Sequence, residues 1–600
     1  MKLRFSRTFA VALVLVLTAT GLWAAGAEEE PAAAADKEMV TDPATGEMVS
    51  APEYGGTITY GRVSWAEHCD VWYISGWASH NIGLVNEMLG IGNWAVDRDI
   101  WDWRVLTDQP QAAWRGALAE SWETPDDTTI IFNIRQGVHW HDKAPMNGRE
   151  LTAKDVEYNW QRLLGLGKFS EAGASLMAGG FPPEDFESVT ATDDWTVVFK
   201  LNKPNFHALK NLLGQWIAVI YPPEVIEEHG DYKDWRNTVG TGPYALTEVV
   251  EESSRTWTKN PNYWGYDPKY PDNRLPYTDK VVALLMPEGA TRLAALRAGQ
   301  LDMLGTVGDS QLRSIDEVEG LNRTNPEIVL HEYKFRSDNV FFLVGLQRPP
   351  WDDIRVRQAM QMALDLDTIV DTYYKGYGDA TPHGRIGNDV AGIGTPFEEW
   401  PEDVKKTYRY DPEGAEALLD AAGYPRGADG IRFKTGMAYF ERYDVSYAEL
   451  AAGYWREIGV DVEIDVFGVG ETGAVTADQD TYRISWGEGA FRYSLPNPLT
   501  WAYYSERTSR DGLQDPEYDA MIDAMFAAST LDEQNKLAKE ANMYIIENQF
   551  RIWGPETPQF QATQPWIIGY NGEMRIGDSE TQSFLAYLWI DSALKAAMGH

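Results

Sequence analysis

The sequence has 600 residues, 44% hydrophobic and 24% charged, a composition typical of a globular protein with a large core. Its 52 basic and 91 acidic residues give a formal charge of −39 at pH 7. That charge repels nucleic-acid phosphates and anionic lipid headgroups, so we expect no nucleic-acid partner. The single cysteine, Cys69, excludes an internal disulfide and a Cys-based zinc site.

Residues 1–27 have the features of a secretory signal peptide. A basic start with Lys2, Arg4 and Arg7 precedes an apolar run over 9–17, and Ala-Gly-Ala at 25–27 matches a cleavage site. The apolar run has about half of the ~20 residues needed to span a bilayer, which favours a cleaved signal over a membrane anchor. We therefore predict a soluble protein that is secreted across the inner membrane and is periplasmic or otherwise extracytoplasmic.

The next segment, 28–52, is rich in alanine, proline, aspartate and glutamate and has no apolar period. A segment with so little apolar surface cannot offset the entropy of ordering the chain. It is predicted to be a flexible acidic tether.

The remaining chain alternates predicted strands with predicted helices. Apolar alternation predicts strands over 130–134, 195–201 and 460–466. Thr152 is a predicted helix start, and a stripe of apolar residues over 356–370 predicts one helix. Asp411 followed by proline predicts another helix start. A further apolar stripe over 450–458 precedes the strand that begins at 460, which is the repeating unit of an α/β layer.

Two motifs have simple structural interpretations. The run Gly240-Thr-Gly-Pro243 lacks the spacing of a phosphate-binding loop and is predicted to form a tight turn. His139 and His141 lie two residues apart, but no third ligand is obvious nearby, so no metal site and no cofactor is expected. The sequence also lacks a nucleophile elbow, an HExxH motif and a Walker motif, and the protein is predicted not to be an enzyme.

Six stretches together resemble a known family. They lie, in order, at Leu118-Ala-Glu-Ser-Trp122 through Val156, at 239–265, 349–365, 410–425 and 455–460, and at Asp515-Pro-Glu-Tyr-Asp519. The chain is similar to the family 5 solute-binding proteins of ABC importers, the oligopeptide- and dipeptide-binding type that includes oligosaccharide-binding members. The similarity extends from about residue 55 to 570.

The resemblance implies an α/β, two-lobed periplasmic-binding-protein fold with an extra domain in the first lobe and two hinge crossovers, near 338–346 and 546–556. It implies the following division of the chain: lobe I at 53–92, 205–340 and 546–600, the extra domain of lobe I at 93–204, and lobe II at 341–545. A solute would bind in the cleft between the lobes, which close over it by hinge motion.

The same resemblance implies that the protein is the substrate-binding component of an ABC import system, acts as a monomer and delivers its solute to the permease subunits in the membrane. Two other functions stay open at this stage. One is a secreted hydrolase acting on glycans, for which two carboxylates about 5 to 10 Å apart would be needed. The other is a ligand sensor or chaperone with the same fold.

The ligand is predicted to be a small extended solute, either an oligosaccharide or an oligopeptide. Peptide-binding relatives hold the peptide amino group with an aspartate in a Trp-Gly-Ala-Asp-Tyr-type stretch, whereas the matching stretch here, 486–498, has no aspartate. Because 24 tryptophans and 30 tyrosines offer rings on which sugars stack, the sequence slightly favours an oligosaccharide. The candidate ligand-binding residues are Trp72, Tyr73, Trp77, Phe440, Tyr443, Trp486, Glu488, Asn497 and Trp501.

Overall fold

The computed structural model of the protein describes most of the chain after residue 37. The described residues are 38–72, 79–104, 109–175, 181–205, 207–215, 217–305, 312, 314–333, 341–388, 390, 392–440, 445–467, 482–487, 499–500, 503–505, 513–528, 530–557, 559–573 and 582–600. The predicted signal peptide and the first ten residues of the predicted tether lie outside these ranges.

The first part of the chain contains the start of lobe I and the elements of the extra domain. In chain order they are β1 (Met39–Thr41), β2 (Met48–Ser50), β3 (Thr57–Arg62), α1 (Ser79–Ile82), β4 (Gly90–Gly92), β5 (Trp114–Gly116), β6 (Ala119–Asp126), β7 (Thr129–Ile134), α2 (Ala153–Leu164), β8 (Phe186–Ala191) and β9 (Thr196–Leu201). Strands β7 and β9 confirm the predictions from alternation. Helix α2 begins after Thr152 as predicted, and the Asp155 carboxylate accepts a hydrogen bond of 2.9 Å from the Thr152 N–H.

The next part of the chain completes most of lobe I. It forms α3 (Ala208–Gly214), α4 (Pro223–His229), β10 (Tyr244–Val250), β11 (Ser254–Lys259), β12 (Lys280–Leu285), α5 (Gly289–Arg297), α6 (Ile315–Thr324) and β13 (Val329–Tyr333). The chain bends at 241–243, and a Cβ atom at Gly240 would collide with the Val85 carbonyl, so the backbone approaches Val85 closely there. The His141 N–H donates to the Gly240 carbonyl at 2.8 Å and its Nε2 lies 3.0 Å from the Gly242 carbonyl oxygen.

Lobe II follows. Its elements are β14 (Phe341–Val344), α7 (Ile354–Met362), α8 (Leu366–Thr368) with a π-helical segment Ile369–Tyr373, α9 (Glu402–Thr407), α10 (Pro412–Ala421), β15 (Phe433–Phe440), α11 (Val445–Glu457), β16 (Val460–Phe467), β17 (Tyr482–Gly487), α12 (Pro516–Phe526), α13 (Leu531–Glu547) and β18 (Arg551–Trp553). The predicted start at Asp411, the helix before residue 459 and the strand after it are confirmed.

The single helix predicted over 356–370 is wrong. The chain leaves the helix after Met362 and starts a new one at Leu366. The cause is Asp365, whose carboxylate accepts hydrogen bonds from the Thr368 N–H at 3.0 Å and from the Thr368 hydroxyl at 2.7 Å, and so caps a second helix. The apolar stripe continues across the break because both helices pack on the same core.

The C-terminal part returns to lobe I. It forms β19 (Gln559–Thr563), β20 (Ile567–Ile568), β21 (Trp589–Ile590) and α14 (Ser592–Ala597). The lobe I sheet has the order β10-β11-β12-β3, with β12 and β3 parallel, and the extra domain has the antiparallel order β6-β7-β9-β8. Residues of both sheets share one hydrophobic core, in which Ile58 and Tyr60 join Phe132 and Phe199.

The lobe II sheet has its own core and the order β16-β15-β17-β14-β18. Strand β15 is parallel to β16 and β17, and β14 is antiparallel to β17 and β18. This arrangement, helices around a mixed sheet in each lobe, agrees with the predicted α/β two-lobed fold.

Strand pairing locates the two crossovers between the lobes. In lobe I, β13 pairs with β19, while in lobe II, β14 pairs with β18. The chain therefore passes from lobe I to lobe II between β13 and β14, and returns between β18 and β19. The second crossover lies later than the predicted lobe boundary at residue 546, because β18 adds to the lobe II sheet and Phe550 and Ile552 pack in its core.

The predicted flexible tether over 28–52 is wrong for its second half. Strands β1 and β2 form a hairpin, and the turn between them contains Asp42, which is 1% exposed. The Asp42 carboxylate pairs with the Lys269 ammonium at 2.7 Å, and the Arg98 N–H donates to the Ala44 carbonyl at 3.0 Å. The low apolar content of this segment led to the prediction of a flexible tether. The structure differs because a buried ion pair holds the segment to the rest of the protein.

Candidate ligand-binding site

One edge of the lobe II sheet collects the carboxyl ends of three parallel strands. The register aligns Phe440 at the end of β15 with Phe467 at the end of β16, and β17 ends at Gly487. Phe341 at the start of β14 lies opposite both Gly487 and Trp553. Both crossovers to lobe I therefore leave from this edge, which we call the carboxyl edge.

The carboxyl edge is the place where an α/β sheet holds a ligand. Ligands of open α/β folds bind outside the carboxyl ends of the parallel strands, where the backbone turns away and side chains from several loops converge. Here the same edge is adjacent to lobe I through both crossovers. The geometry thus favours a ligand site at this edge.

Two of the candidate residues have their backbone at this edge. Phe440 is the last residue of β15, and Trp486, the penultimate residue of β17, pairs with Phe342. The other lobe II candidates, Tyr443, Glu488, Asn497 and Trp501, lie outside the described residues, as do Tyr73 and Trp77 of lobe I. Their roles as ligand contacts stay predictions.

Trp72 is the one candidate whose side chain the structure places. Its ring is 4% exposed, and the indole N–H donates to the Ile217 carbonyl at 2.9 Å. The Tyr221 ring meets it edge-on with centroids 5.0 Å apart, and the Arg162 guanidinium carbon lies 4.8 Å from the ring centroid. These contacts show that the Trp72 ring packs within lobe I. Its contact with ligand stays a prediction.

Sequence reasoning missed a cationic cluster at the carboxyl end of β3. The half-buried ring of Trp65 follows that strand, with the guanidinium carbons of Arg255 and Arg62 at 4.4 and 5.7 Å from its centroid. Both arginines are buried, and burial lowers the pKa of Arg255. In a chain of charge −39 this is a local concentration of positive charge. The signal was available, since Arg62 and Trp65 both occur where the first strand ends.

Lobe I approaches the first crossover through β13, where His331 is held in a polar setting. Its Nε2 lies 3.0 Å from the Thr563 hydroxyl of β19, and its ring packs edge-on against Tyr570. Burial lowers the pKa of His331 to about 4, and the nearby Arg104 acts in the same direction, against Glu573. The ring is therefore neutral at physiological pH. Among the described residues, no group of His, Cys, Asp and Glu is placed to hold a metal ion.

Two histidines with lowered pKa values, His141 and His331, predict a loss of stability in mild acid. Burial lowers the pKa of His141 to about 4, as it does for His331. The unfolded chain, with a histidine pKa near 6.5, binds these protons first, so stability falls as the pH drops from about 6.5 toward 4. By pH 5 each histidine should cost about 2 kcal/mol. Urea unfolding at pH 7.5 and 5 measures this loss.

Carboxylates also titrate in this range, so a variant isolates the histidine. His141→Gln keeps an N–H donor for the Gly242 carbonyl and should lose about 2 kcal/mol less than the parent between pH 7.5 and 5. His331→Gln provides the same comparison at an independent position. Equal losses in the parent and both variants would contradict the assignment.

The family model for "Bacterial extracellular solute-binding proteins, family 5 Middle" matches residues 113–511, about two-thirds of the chain. The chain belongs to this family.

The solute-binding proteins of family 5 bind and do not transform their ligands, which confirms the prediction that the protein is not an enzyme. The family description also agrees with the predicted location outside the cytoplasm. None of the described helices is long and apolar enough to cross a membrane.

Named relatives of this solute-binding protein include binding proteins of Haemophilus influenzae and Escherichia coli. It is 27% identical over 484 residues to heme-binding protein A of Haemophilus influenzae, covering 76% of this chain and 81% of the relative. It is 26% identical over 474 residues to the dipeptide-binding protein of Escherichia coli, covering 76% and 83%.

Solved structures share the fold. The periplasmic binding protein DppA of Helicobacter pylori, in complex with the peptide STSA, aligns with a TM-score of 0.72 at 21% identity, covering 90% of this chain and 99% of that one. OppA of Haemophilus influenzae, in complex with the peptide RPPGFSPFR, aligns with a TM-score of 0.68 at 20% identity, covering 90% and 100%. These matches confirm the two-lobed fold over almost the whole chain.

Proposed function

We propose that the protein is the peptide-binding component of an ABC importer. It captures an oligopeptide outside the cytoplasm, at the carboxyl edge of the lobe II sheet, closes lobe I over it and delivers it to the permease as a monomer. Residues 1–27 direct secretion in this proposal and are then removed. The observation that carries the proposal is that both crossovers leave from the edge where the parallel strands end.

Two further observations favour a peptide over an oligosaccharide. The relatives named for their ligands include dipeptide- and oligopeptide-binding proteins, and both solved structures described above contain peptides. The high ring count does not require a sugar, because eleven tryptophans of the described part of the chain are almost fully buried and account for core packing.

Thermal unfolding of the mature protein with an equimolar pool of synthetic tri- to pentapeptides tests the proposal. Ligand that binds only the folded state adds about 2.7 kcal/mol at 100 times the Kd, which should raise the Tm by several degrees. Oligosaccharides and heme serve as separate arms. Stabilisation by an oligosaccharide or by heme alone would overturn the peptide assignment.

The same titration can test the placement of the site. Trp486→Ala removes a ring at the carboxyl edge and should weaken peptide binding at least tenfold while the protein stays folded. Tyr410→Ala is the matched control, because Tyr410 is an exposed lobe II ring that contacts Tyr454 on α11. Equal affinities for Trp486→Ala and the parent would move the site away from this edge.

A further inference from the structure

A short loop of lobe II leaves its own core and contacts lobe I beside the second crossover. Tyr374 is buried in the lobe II core, and Ala380 packs against that core again. Between them, the half-buried Tyr377 packs against the lobe I cluster, with its ring 5.6 Å from that of Phe560 on β19. We call residues 375–379 the strap.

The strap is also bonded to the crossover itself. The Asp379 N–H donates to the Glu556 carbonyl at 3.1 Å, and the Glu556 N–H donates to the Asp379 carbonyl at 2.8 Å. This antiparallel bridge fixes one end of the strap to Glu556, which follows β18. The strap is therefore attached to the second crossover.

The other end of the strap is fixed to lobe I by charge. The Lys375 ammonium lies 2.6 Å from the Asp316 carboxylate and 2.7 Å from the Glu319 carboxylate, both on α6. Helix α6 packs in the lobe I cluster with Phe560, whereas the helical segment before Lys375 packs in lobe II. These ion pairs consequently connect residues of different lobes.

The backbone of the strap favours bending between these attachments. Lys375 has φ +53°, Gly376 φ +83° and Gly378 φ +95°. Glycine adopts this left-handed region without steric cost, which allows abrupt changes of chain direction in a short segment. Gly376 and Gly378, one on each side of Tyr377, allow the loop to leave lobe II, contact lobe I and return within six residues.

A second contact joins the lobes at another place. The Lys203 ammonium, beyond the end of β9 in the extra domain, lies 5.1 Å from the centroid of the Phe526 ring on α12 of lobe II. Lys203 also pairs with the buried Asp185 at 3.0 Å. The extra domain therefore contacts lobe II in the same lobe arrangement in which the strap contacts lobe I.

We propose that the strap is a third, non-covalent connection between the lobes, and that the ion pairs of Lys375 with Asp316 and Glu319 stabilise the closed lobe arrangement. The proposal rests on the hinge closure of the proposed function. Exposed ion pairs are weak and are screened by salt. Their effect on a hinge is nevertheless measurable, because the apparent ligand affinity scales with the populated fraction of the closed state.

Single-molecule FRET on the ligand-free protein measures the lobe arrangement. Lys168→Cys in lobe I and Lys536→Cys in lobe II provide exposed labelling positions. Labelling is selective for them, because Cys69 is buried and burial raises its pKa to about 12. Lys375→Gln should shift the distribution to longer interlobe distances and weaken binding of the tri- to pentapeptide pool about two- to fivefold. Lys375→Glu, which opposes two carboxylates, should shift it further.

Three controls test whether the shift in interlobe distance comes from the ion pairs of Lys375. Raising NaCl to 1 M should reproduce the shift in the parent and add nothing to Lys375→Gln. Combining Lys375→Glu with Asp316→Lys and Glu319→Lys should restore the parent distribution. Lys154→Gln, which removes an exposed ion pair with Asp194 inside the extra domain, should leave it unchanged.

The outcomes separate this inference from the proposed function. If the parent binds the peptide pool without any change in FRET, hinge closure itself is refuted. If the parent closes on the peptide pool but Lys375→Gln and Lys375→Glu give the parent distribution before and after peptide, the strap does not stabilise closure. A shift in both variants that the charge swap reverses supports the strap.

Discussion

Trp72→Ala should lower the free energy of unfolding by about 3–5 kcal/mol. The ring is 4% exposed, and its removal would leave a cavity beside Tyr221 and strip the Ile217 carbonyl of its indole donor. The substitution would also remove the surface on which the Arg162 guanidinium lies. The midpoint and slope of urea unfolding measure the loss.

The same variant decides between packing and ligand contact for this residue. Trp72→Phe keeps an aromatic ring against Tyr221 and should lose much less stability than Trp72→Ala. For a packing residue, peptide affinity measured at a temperature where both variants are folded should stay within about twofold of the parent. An unchanged urea midpoint together with a tenfold loss of affinity would instead establish Trp72 as a ligand contact.

The architecture could be predicted because many local signals agree with it. Strands β7, β9 and β16 alternate apolar and polar residues, and helix starts at Thr152 and Asp411 carry side chains that cap free N–H groups. Each of these signals depends on residues within one element. Local sequence therefore contains enough information for the elements and their order.

The features that sequence reasoning missed depend on distant partners. Asp42 and Lys269 are 227 positions apart, and nothing in the local sequence of 39–50 indicates that this polar segment is held by a buried ammonium group. The predicted lobe boundary at residue 546 likewise precedes β18, which belongs to the lobe II sheet through its pairing with β14. The break before Leu366 is a local feature, but the continuous apolar stripe concealed the competing cap of Asp365.

The ligand site was harder to predict for a different reason. Core packing and ligand stacking both use large rings, so a run of tryptophans does not distinguish them. Trp72 was selected for its place after the first strand, and the structure surrounds it with protein. The backbones of the lobe II candidates Phe440 and Trp486 lie where parallel strands end, and their contact with ligand stays a prediction.

Asp42→Ala should release the β1–β2 hairpin from the body. Asp42 and Lys269 are each 1% exposed at the side chain, and the Lys269 ammonium also lies 5.1 Å from the Trp94 ring centroid. Removing the carboxylate leaves a buried charge without its partner, a change that costs about 3–5 kcal/mol. The hairpin can avoid much of this cost by detaching, because water then reaches Lys269. We therefore expect the main effect in local opening rather than in global unfolding.

Hydrogen exchange measures that local opening directly. Amides that pair β1 with β2, and the Arg98 N–H bonded to Ala44, should lose at least a hundredfold in protection in Asp42→Ala. Asp42→Leu combined with Lys269→Met replaces the ion pair by apolar groups and should recover most of the protection, since such replacements are often neutral. Asp194→Ala, which breaks an exposed pair with Lys154, is the control and should change nothing. Full protection in Asp42→Ala would mean that the backbone contacts alone hold the hairpin, and that the buried charge is compensated by other groups around Lys269.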